Sequence, residues 1–271
     1  MSNLHLHDLL YQSKAIALKA GKAILRISEK DAGMEVKEDG SPVTRADIAS
    51  HNVIVSGLKN IKPEFPVISE EDSQERTQRT SSQRVNIPLI YWLIDPLDGT
   101  KEFLKENGEY TVNIALIEKG VPVIGVIYAP EIDILYYAAM DLGSWKIAEN
   151  SSPVRLKGQG STNPVTTVVS RSHPSPETDS YLSRFTVNRR IERGSSLKLC
   201  AVAEGEADIY PRLNPTSLWD TAAGAVIARE AGCKVKDIEG NELMYDIGNG
   251  ILQKGFVVYS PKTCEIMPLN K

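Results

Sequence analysis

From Leu6 through Leu9, Leu10, Ser13, Ile16, Ala17, Ala20, Ile24 and Ile27, small and apolar residues recur every three or four positions. That spacing predicts an amphipathic helix that ends before Gly33. A turn-rich stretch, Glu38-Asp39-Gly40-Ser41-Pro42, leads to Thr44, and Ile48, Val55 and Leu58 carry a second helical stripe to about Asn60. Thr44-x-x-Asp47 has the form of a capping box at its start. A short strand, Pro66 to Ser69, then runs into Glu70-Glu71-Asp72, followed by a polar loop or helix over residues 72–86.

From Leu89 the pattern changes to strands: Ile90 to Asp95, Thr111 to Glu118, Val121 to Tyr128 and Ile134 to Ala139, parted by turn signals at Lys119-Gly120, Pro130 and Gly143. Their close spacing favours antiparallel neighbours. Asn150 to Asn163, rich in Ser, Gly and Pro, is the expected boundary. Beyond it, strands at Val165 to Ser170, Arg190 to Glu192, Asp208 to Tyr210 and Gly255 to Ser260 alternate with helices at Pro176 to Phe185, Ser196 to Glu204 and Trp219 to Ala231. The prediction is an N-terminal α+β half, residues 1–155, and a C-terminal α/β half, residues 156–271, whose helices cover its sheet.

Composition narrows the class without naming an activity. The 271 residues are 41% hydrophobic and 24% charged, with a formal charge of -4, so a disordered chain and a nucleic-acid partner are both unexpected. The cysteines, Cys200, Cys233 and Cys264, are too far apart for a metal knuckle and odd in number, which points to a reducing cytoplasm. No secretory signal is expected at the start. The longest uncharged apolar runs, Val85 to Ile94 and Gly120 to Pro130, fall short of the roughly 20 residues of a bilayer helix.

The chemistry concentrates in Trp92-Leu93-Ile94-Asp95-Pro96-Leu97-Asp98-Gly99-Thr100. An apolar strand ends on a carboxylate, a second follows three residues on, and Gly99 and Thr100 can offer backbone amides to an anion at the start of a short helix, Thr100 to Leu104. Carboxylates in such a place cost desolvation unless a cation compensates them, and a hard oxygen set without His or Cys suits Mg²⁺ better than zinc. The spacing also differs by one residue from the Asp-x-Asp-Gly-Thr of aspartyl-phosphate phosphatases, which argues for metal-activated water and against a covalent intermediate. Val67-Ile68-Ser69-Glu70-Glu71 repeats the theme of a strand ending in carboxylates, and Trp219-Asp220-Thr221-Ala222-Ala223-Gly224 places Asp220 at a helix start, where it equally suits the macrodipole.

Taken together, these motifs resemble the lithium-sensitive, Mg²⁺-dependent phosphomonoesterase superfamily that includes inositol monophosphatase, fructose-1,6-bisphosphatase and 3'(2'),5'-bisphosphate nucleotidase. Asp98-Gly99-Thr100-Lys101-Glu102-Phe103, Ser41-Pro42-Val43-Thr44-x-Ala46-Asp47 and Gly194-Ser195-Ser196-Leu197-Lys198 are similar to the bacterial bisphosphate nucleotidase branch. The resemblance implies a layered αβαβα sandwich with the site between the two halves, acting as one catalytic unit. It implies that Glu70, Asp95 and the Leu97 carbonyl hold one Mg²⁺ ion, that Asp95, Asp98 and Asp220 hold a second, and that a third, weaker ion involves Glu70 and water. Asp47 and Thr100, with Glu70, would serve the attacking water, although for Asp47 the capping role stands as an equal alternative. Glu70, Leu97, Asp98, Gly99, Thr100 and Asp220 would surround the reacting phosphate.

Farther from the metals, Ser170-Arg171-Ser172-His173 resembles the segment that meets the nucleotide, where His173 would contact base or sugar; an exposed loop histidine is the plainer reading. Lys198 would pair with a 5'-phosphate, with a solvated helix lysine as its alternative and Arg193 as a weaker candidate. His5, His7 and His51 read as surface residues. The implied activity is removal of the 3'-phosphate from adenosine 3',5'-bisphosphate, with 3'-phosphoadenylyl sulfate as a further substrate, in sulfur assimilation. An inositol monophosphatase-like hydrolase and a non-catalytic phosphate-binding module are the competing readings. The expected partner is a small nucleotide, with no nucleic acid and no stable protein partner. Relatives of this type are sometimes peripheral at the cytoplasmic face of the inner membrane, for which the sequence offers no basic amphipathic helix.

Overall fold

The computed structural model describes residues 3–27, 33–36, 42–72, 88–149, 151–160, 164–172 and 174–263. The first two helical stripes fold as α1 (Asn3–Ile24) and α2 (Arg45–Lys59), with a small hairpin, β1 (Glu35–Val36) and β2 (Pro42–Val43), between them. Next come β3 (Val67–Ser69), a 3-10 turn at Glu70–Asp72, β4 (Ile90–Asp98) and a short helix α3 (Thr100–Leu104). Strands β5 (Thr111–Glu118), β6 (Val121–Ala129), β7 (Ile134–Ala139), β8 (Gly143–Ala148) and β9 (Val154–Arg155) complete a seven-stranded sheet in sequential order. Every pairing in it is antiparallel except β3 with β4.

The second half contains β10 (Val165–Ser170), α4 (Pro176–Leu182), β11 (Val187–Arg193), α5 (Leu197–Ala203), β12 (Ile209–Arg212), β13 (Thr216–Ser217), α6 (Leu218–Glu230), β14 (Lys234–Asp237), β15 (Leu252–Gln253) and β16 (Phe256–Tyr259). Its five-stranded sheet has the order β11-β10-β12-β16-β14, and β13 pairs separately with β15.

Why β4 and β5 read as almost unbroken apolar runs follows from what covers them. Side chains alternate across a strand, so Trp92, Ile94, Ile114 and Leu116 pack in one core with α1 and α2, while Tyr91, Leu93, Ala115 and Ile117 pack in the other with α5 and α6. A further cluster, Val165, Val169, Leu182, Ile209 and Val257, joins α4 to the outer face of the smaller sheet. The layers are therefore α1 and α2, the large sheet, α5 and α6, the small sheet, and α4, which is the expected αβαβα sandwich.

Several elements lie beyond what the sequence pattern predicted. Strand β4 continues past Asp95 to Asp98, β11 spans Val187–Arg193, and β8, β9, β13, β14 and β15 were not anticipated. Within Asn150 to Asn163, β9 pairs with the edge of the large sheet, Leu156 is buried, and the Gly158 amide donates to the Ala231 carbonyl at 2.8 Å. Most of the polar stretch 72–86, the Asp39-Gly40 turn, and Cys264 fall outside the described residues; Cys200 and Cys233 are buried and free. Among the described residues no helix is long and apolar enough to cross a membrane.

Helix α6 presses directly on the large sheet. A Cβ added at Gly125 in β6 would stand 2.2 Å from the Ala223 carbonyl oxygen. Gly125→Ala is expected to lower the unfolding free energy by about 1–3 kcal/mol through this overpacking, measured by urea denaturation; an unchanged midpoint would contradict the close approach.

Candidate active site

Two local devices bring carboxylates to one place. Parallel pairing aligns Ser69 of β3 with Ile94 of β4, so the next residues, Glu70 just past β3 and Asp95 within β4, come side by side. In β4, Asp95 pairs with Asn113 and Asp98 with Thr111, so four residues oppose three and the strand bulges at Pro96–Leu97. Residues three apart on a regular strand face opposite sides; one extra residue reverses that parity and returns Asp98 to the side of Asp95. The bulge is held by Leu97 N donating to Asp95 Oδ1 at 3.1 Å and by Ser50 Oγ of α2 donating to the Pro96 carbonyl at 2.6 Å.

Asp220 arrives from the second half. It is the third residue of α6, and its Oδ2 accepts from Ser217 N at 3.1 Å and from the Thr216 hydroxyl. Glu70, Asp95 and Asp220 each bring a carboxylate oxygen within 4.8 Å of the other two. Asp98 stands outside this triad: its Oδ2 accepts from Ser195 Oγ at 2.7 Å and lies 2.7 Å from Ser196 Oγ. Ser196 Oγ in turn accepts from Asn113 Nδ2 at 2.7 Å, and Ser195 Oγ pairs with Thr111 Oγ1 at 2.5 Å. Ser195 has φ 50, a left-handed conformation that costs a residue with a Cβ on the order of 1–3 kcal/mol. Its bonds to Asp98 and Thr111 over-determine it. Thr111, Asn113, Ser195 and Ser196 are not among the candidate site residues, although Gly194-Ser195-Ser196 belongs to a motif that carries the resemblance.

On the opposite rim, Thr44 N and Oγ1 donate to Asp47 Oδ2 at 2.7 and 2.6 Å, the capping box of α2, while Asp47 Oδ1 accepts from Thr100 Oγ1 at 3.2 Å. Asp47 therefore caps its helix and reaches Thr100 at the same time. Thr100 Oγ1 also lies 3.4 Å from the Leu97 carbonyl. Gly99 caps α3 with φ 91, a left-handed turn, at the end where a helix leaves its first amides unpartnered within itself.

The remaining candidates separate. Lys198 is not a solvated lysine: it is buried on α5, flanked by buried Leu197, Leu199 and Cys200, and its Nζ donates to the Ser195 carbonyl at 2.6 Å. Arg193 is engaged with Glu206 at 2.6 Å. His173 lies outside the described residues. His51, expected at the surface, is half-buried on α2 with Nδ1 2.9 Å from Ser69 Oγ, beside the strand end that carries Glu70. Arg212, the last residue of β12 and not a candidate from sequence, lines a cavity of about 260 Å³ with Ser170, Ser175, Tyr210 and Asn214; its buried Nε has no hydrogen-bond partner.

Electrostatics match this crowding. Burial, reinforced by Glu70, Asp98, Asp220 and Glu71, holds Asp95 well above the usual carboxylate range. Asp220 is pushed up to about 7, first by burial and then by Asp98 and Glu70. Lys198 is pushed down to about 8 by burial, with Asp98 the first of the charges that oppose the shift. Oxygen donors alone, drawn together against their own repulsion, fit a hard divalent cation.

Such a sandwich with an acidic centre is the architecture of metal-binding phosphatases, and the Inositol monophosphatase family model matches residues 5–265; the chain belongs to that family. Among its relatives, the 3'(2'),5'-bisphosphate nucleotidase CysQ of Salmonella typhimurium is 47% identical over 253 residues, covering 92% of this chain and 99% of that protein. CysQ of Escherichia coli K12, of the same name, is 46% identical over 253 residues, again covering 92% of this chain and 99% of that protein. The crystal structure of CysQ from Bacteroides thetaiotaomicron superposes with TM-score 0.80 at 38% identity, covering 95% of this chain and 99% of that one. An IMPase from Thermotoga maritima shares the fold with TM-score 0.77 at 23% identity, covering 96% and 94%.

A carboxylate whose folded pKa lies above its unfolded value favours the fold at low pH and withdraws that contribution as pH climbs from about 4 to 7. The melting temperature of the metal-free protein is therefore expected to fall between about pH 5 and about pH 8, and to fall less in Asp220→Asn. Excess Mg²⁺ should raise it more at the upper end. Thermal melts in chelator and in Mg²⁺ check this; a metal-free melting temperature that rises across the window as steeply in Asp220→Asn would contradict it.

Proposed function

We propose that this chain is an Mg²⁺-dependent phosphomonoesterase that removes the 3'-phosphate of adenosine 3',5'-bisphosphate, leaving AMP and inorganic phosphate, and that also accepts 3'-phosphoadenylyl sulfate. The observation that carries the reading is the convergence of Glu70, Asp95 and Asp220, from three separate elements, on one point. The names of the relatives, 3'(2'),5'-bisphosphate nucleotidases, support the substrate. Two Mg²⁺ ions suit the donors: Glu70, Asp95 and the Leu97 carbonyl for one, Asp95, Asp98 and Asp220 for the other, with a third, weaker ion at Glu70 and water. When bound, such ions polarise the phosphate and acidify the attacking water.

The chain's own groups do the rest. Asp47 Oδ2 is pinned by Thr44, so its Oδ1 and the Thr100 hydroxyl form a fixed pair that orients the water and takes its proton. Glu70 serves the same water. Ser195 and Ser196 hold one oxygen of Asp98, which fixes the direction of the other. The Gly99 and Thr100 amides cradle the phosphate oxygens. A substrate with a second dianion needs a cation beyond this acidic floor, and Arg212 in its cavity suits the 5'-phosphate, with buried Lys198 adding positive potential from behind. His173, as the resemblance implies, contacts the nucleoside. The two halves, 1–155 and 156–271, then form one catalytic unit, because Asp220 comes from the second. A cytoplasmic location suits this substrate; the peripheral membrane attachment that the resemblance raised gains no support from the fold.

With Mg²⁺, the purified protein is expected to release phosphate from adenosine 3',5'-bisphosphate far faster than from inositol 1-phosphate; the reverse preference would overturn the substrate. Asp95→Asn should lower turnover by more than about 100-fold with the fold intact by circular dichroism, since even removal of a group that only supports a metal ligand costs about 10–100-fold. Activity that survives this change would remove the acidic floor from the mechanism.

A further inference from the structure

Two carboxylates of the first half reach across to the second and take no part in the chemistry above. Glu102, on α3 two residues after Thr100, is buried and accepts a hydrogen bond from Ser172 Oγ. Glu109, just before β5, accepts from Arg171 Nε at 2.8 Å and Nη2 at 3.0 Å, and from the Gly194 amide at 2.7 Å. A Cβ at Gly194 would stand 2.6 Å from the Glu109 carbonyl and 2.8 Å from Glu102 Cγ, so this turn is pressed against both acidic residues.

The position of these bonds gives them meaning. Arg171 and Ser172 sit between Ser170 and Ser175, which line the Arg212 cavity. The bonds thus tie the segment between two lining residues of that cavity to the short helix that opens at Gly99 and Thr100 and to the turn before β5. A lone exposed ion pair would contribute little. Here the guanidinium grips both carboxylate oxygens, a backbone amide adds a third bond, and a buried acid adds a fourth from Ser172.

We propose that Glu102 and Glu109 are positioning residues that set the spacing between the reacting phosphate and the Arg212 cavity, and so select a long bisphosphorylated nucleotide over compact phosphate esters. The inference rests on the nucleotidase reading. A compact ester spans only the Gly99–Thr100 end, so its hydrolysis does not depend on where the cavity wall stands.

Steady-state kinetics in Mg²⁺, with adenosine 3',5'-bisphosphate and with p-nitrophenyl phosphate, test it. Glu102→Ala should raise the nucleotide KM about tenfold, the effect of losing one hydrogen bond to a charged group, with kcat and the p-nitrophenyl phosphate kcat/KM within about twofold of wild type. Glu102→Gln, which keeps an acceptor for Ser172, should recover most of the loss, and Glu109→Ala should raise the nucleotide KM likewise. Equal losses on both substrates, or an unchanged nucleotide KM, would overturn the proposal. Should Glu102→Ala fail to fold, Ser172→Ala deletes the same bond from its more exposed side and must raise the nucleotide KM to a similar extent; no rise would be equally fatal. A wild-type protein that cleaves p-nitrophenyl phosphate but not the nucleotide would instead refute the nucleotidase reading itself, and the proposal with it.

Discussion

The site exists because β4 cannot stay regular through Asp95-Pro96-Leu97-Asp98. Proline contributes no amide to the ladder, the extra residue reverses the side-chain parity, and two acids that would have pointed to opposite layers share one. Neighbouring elements are arranged around that defect. Ser50 of α2 holds its carbonyl, β3 delivers Glu70 alongside, and the Ser195–Ser196 turn closes on Asp98 from the other half.

Bringing buried like charges together works against folding, and the surroundings show how the opposition is spread. Asp98 is met by hydroxyls and Asp220 by a hydroxyl and its own helix cap. A cation, Lys198, is buried behind them and tied to the Ser195 carbonyl. None of these neutralises the centre. That residual negative potential is what would favour a hard divalent cation at the centre.

Strands β4 to β7 and helices α1, α2 and α6 were legible because long apolar periods and Gly turns mark them. Strands β9, β13 and β15 were not, since two residues carry no period, and β8, with Lys146 beside Trp145, mixes polar and apolar positions at its place near the sheet edge. Acidic candidates could be found from their places at strand ends and helix starts. Their partners could not: Ser195, Ser196, Thr111 and Asn113 act through contacts across halves, which no local spacing encodes. Burial of Lys198 did have a signal, the unbroken apolar company of Leu197 to Ala203 on α5. Asp47 was read two ways; one of its oxygens makes the helix cap, and the other accepts from Thr100.

Asp220 opens α6, the helix sandwiched between both sheets and so tightly seated that Gly125 and Gly224 have no room for a methyl group. The acidic floor is consequently continuous with the least adjustable part of the molecule. Variation that tried to reshape it would have to reshape the core. The Arg212 cavity is different in make-up: strand residues Val169, Ser170, Tyr210 and Arg212 line it together with the loop residues Pro174, Leu213, Asn214 and Pro215, so part of its wall can vary without disturbing the core beneath the floor.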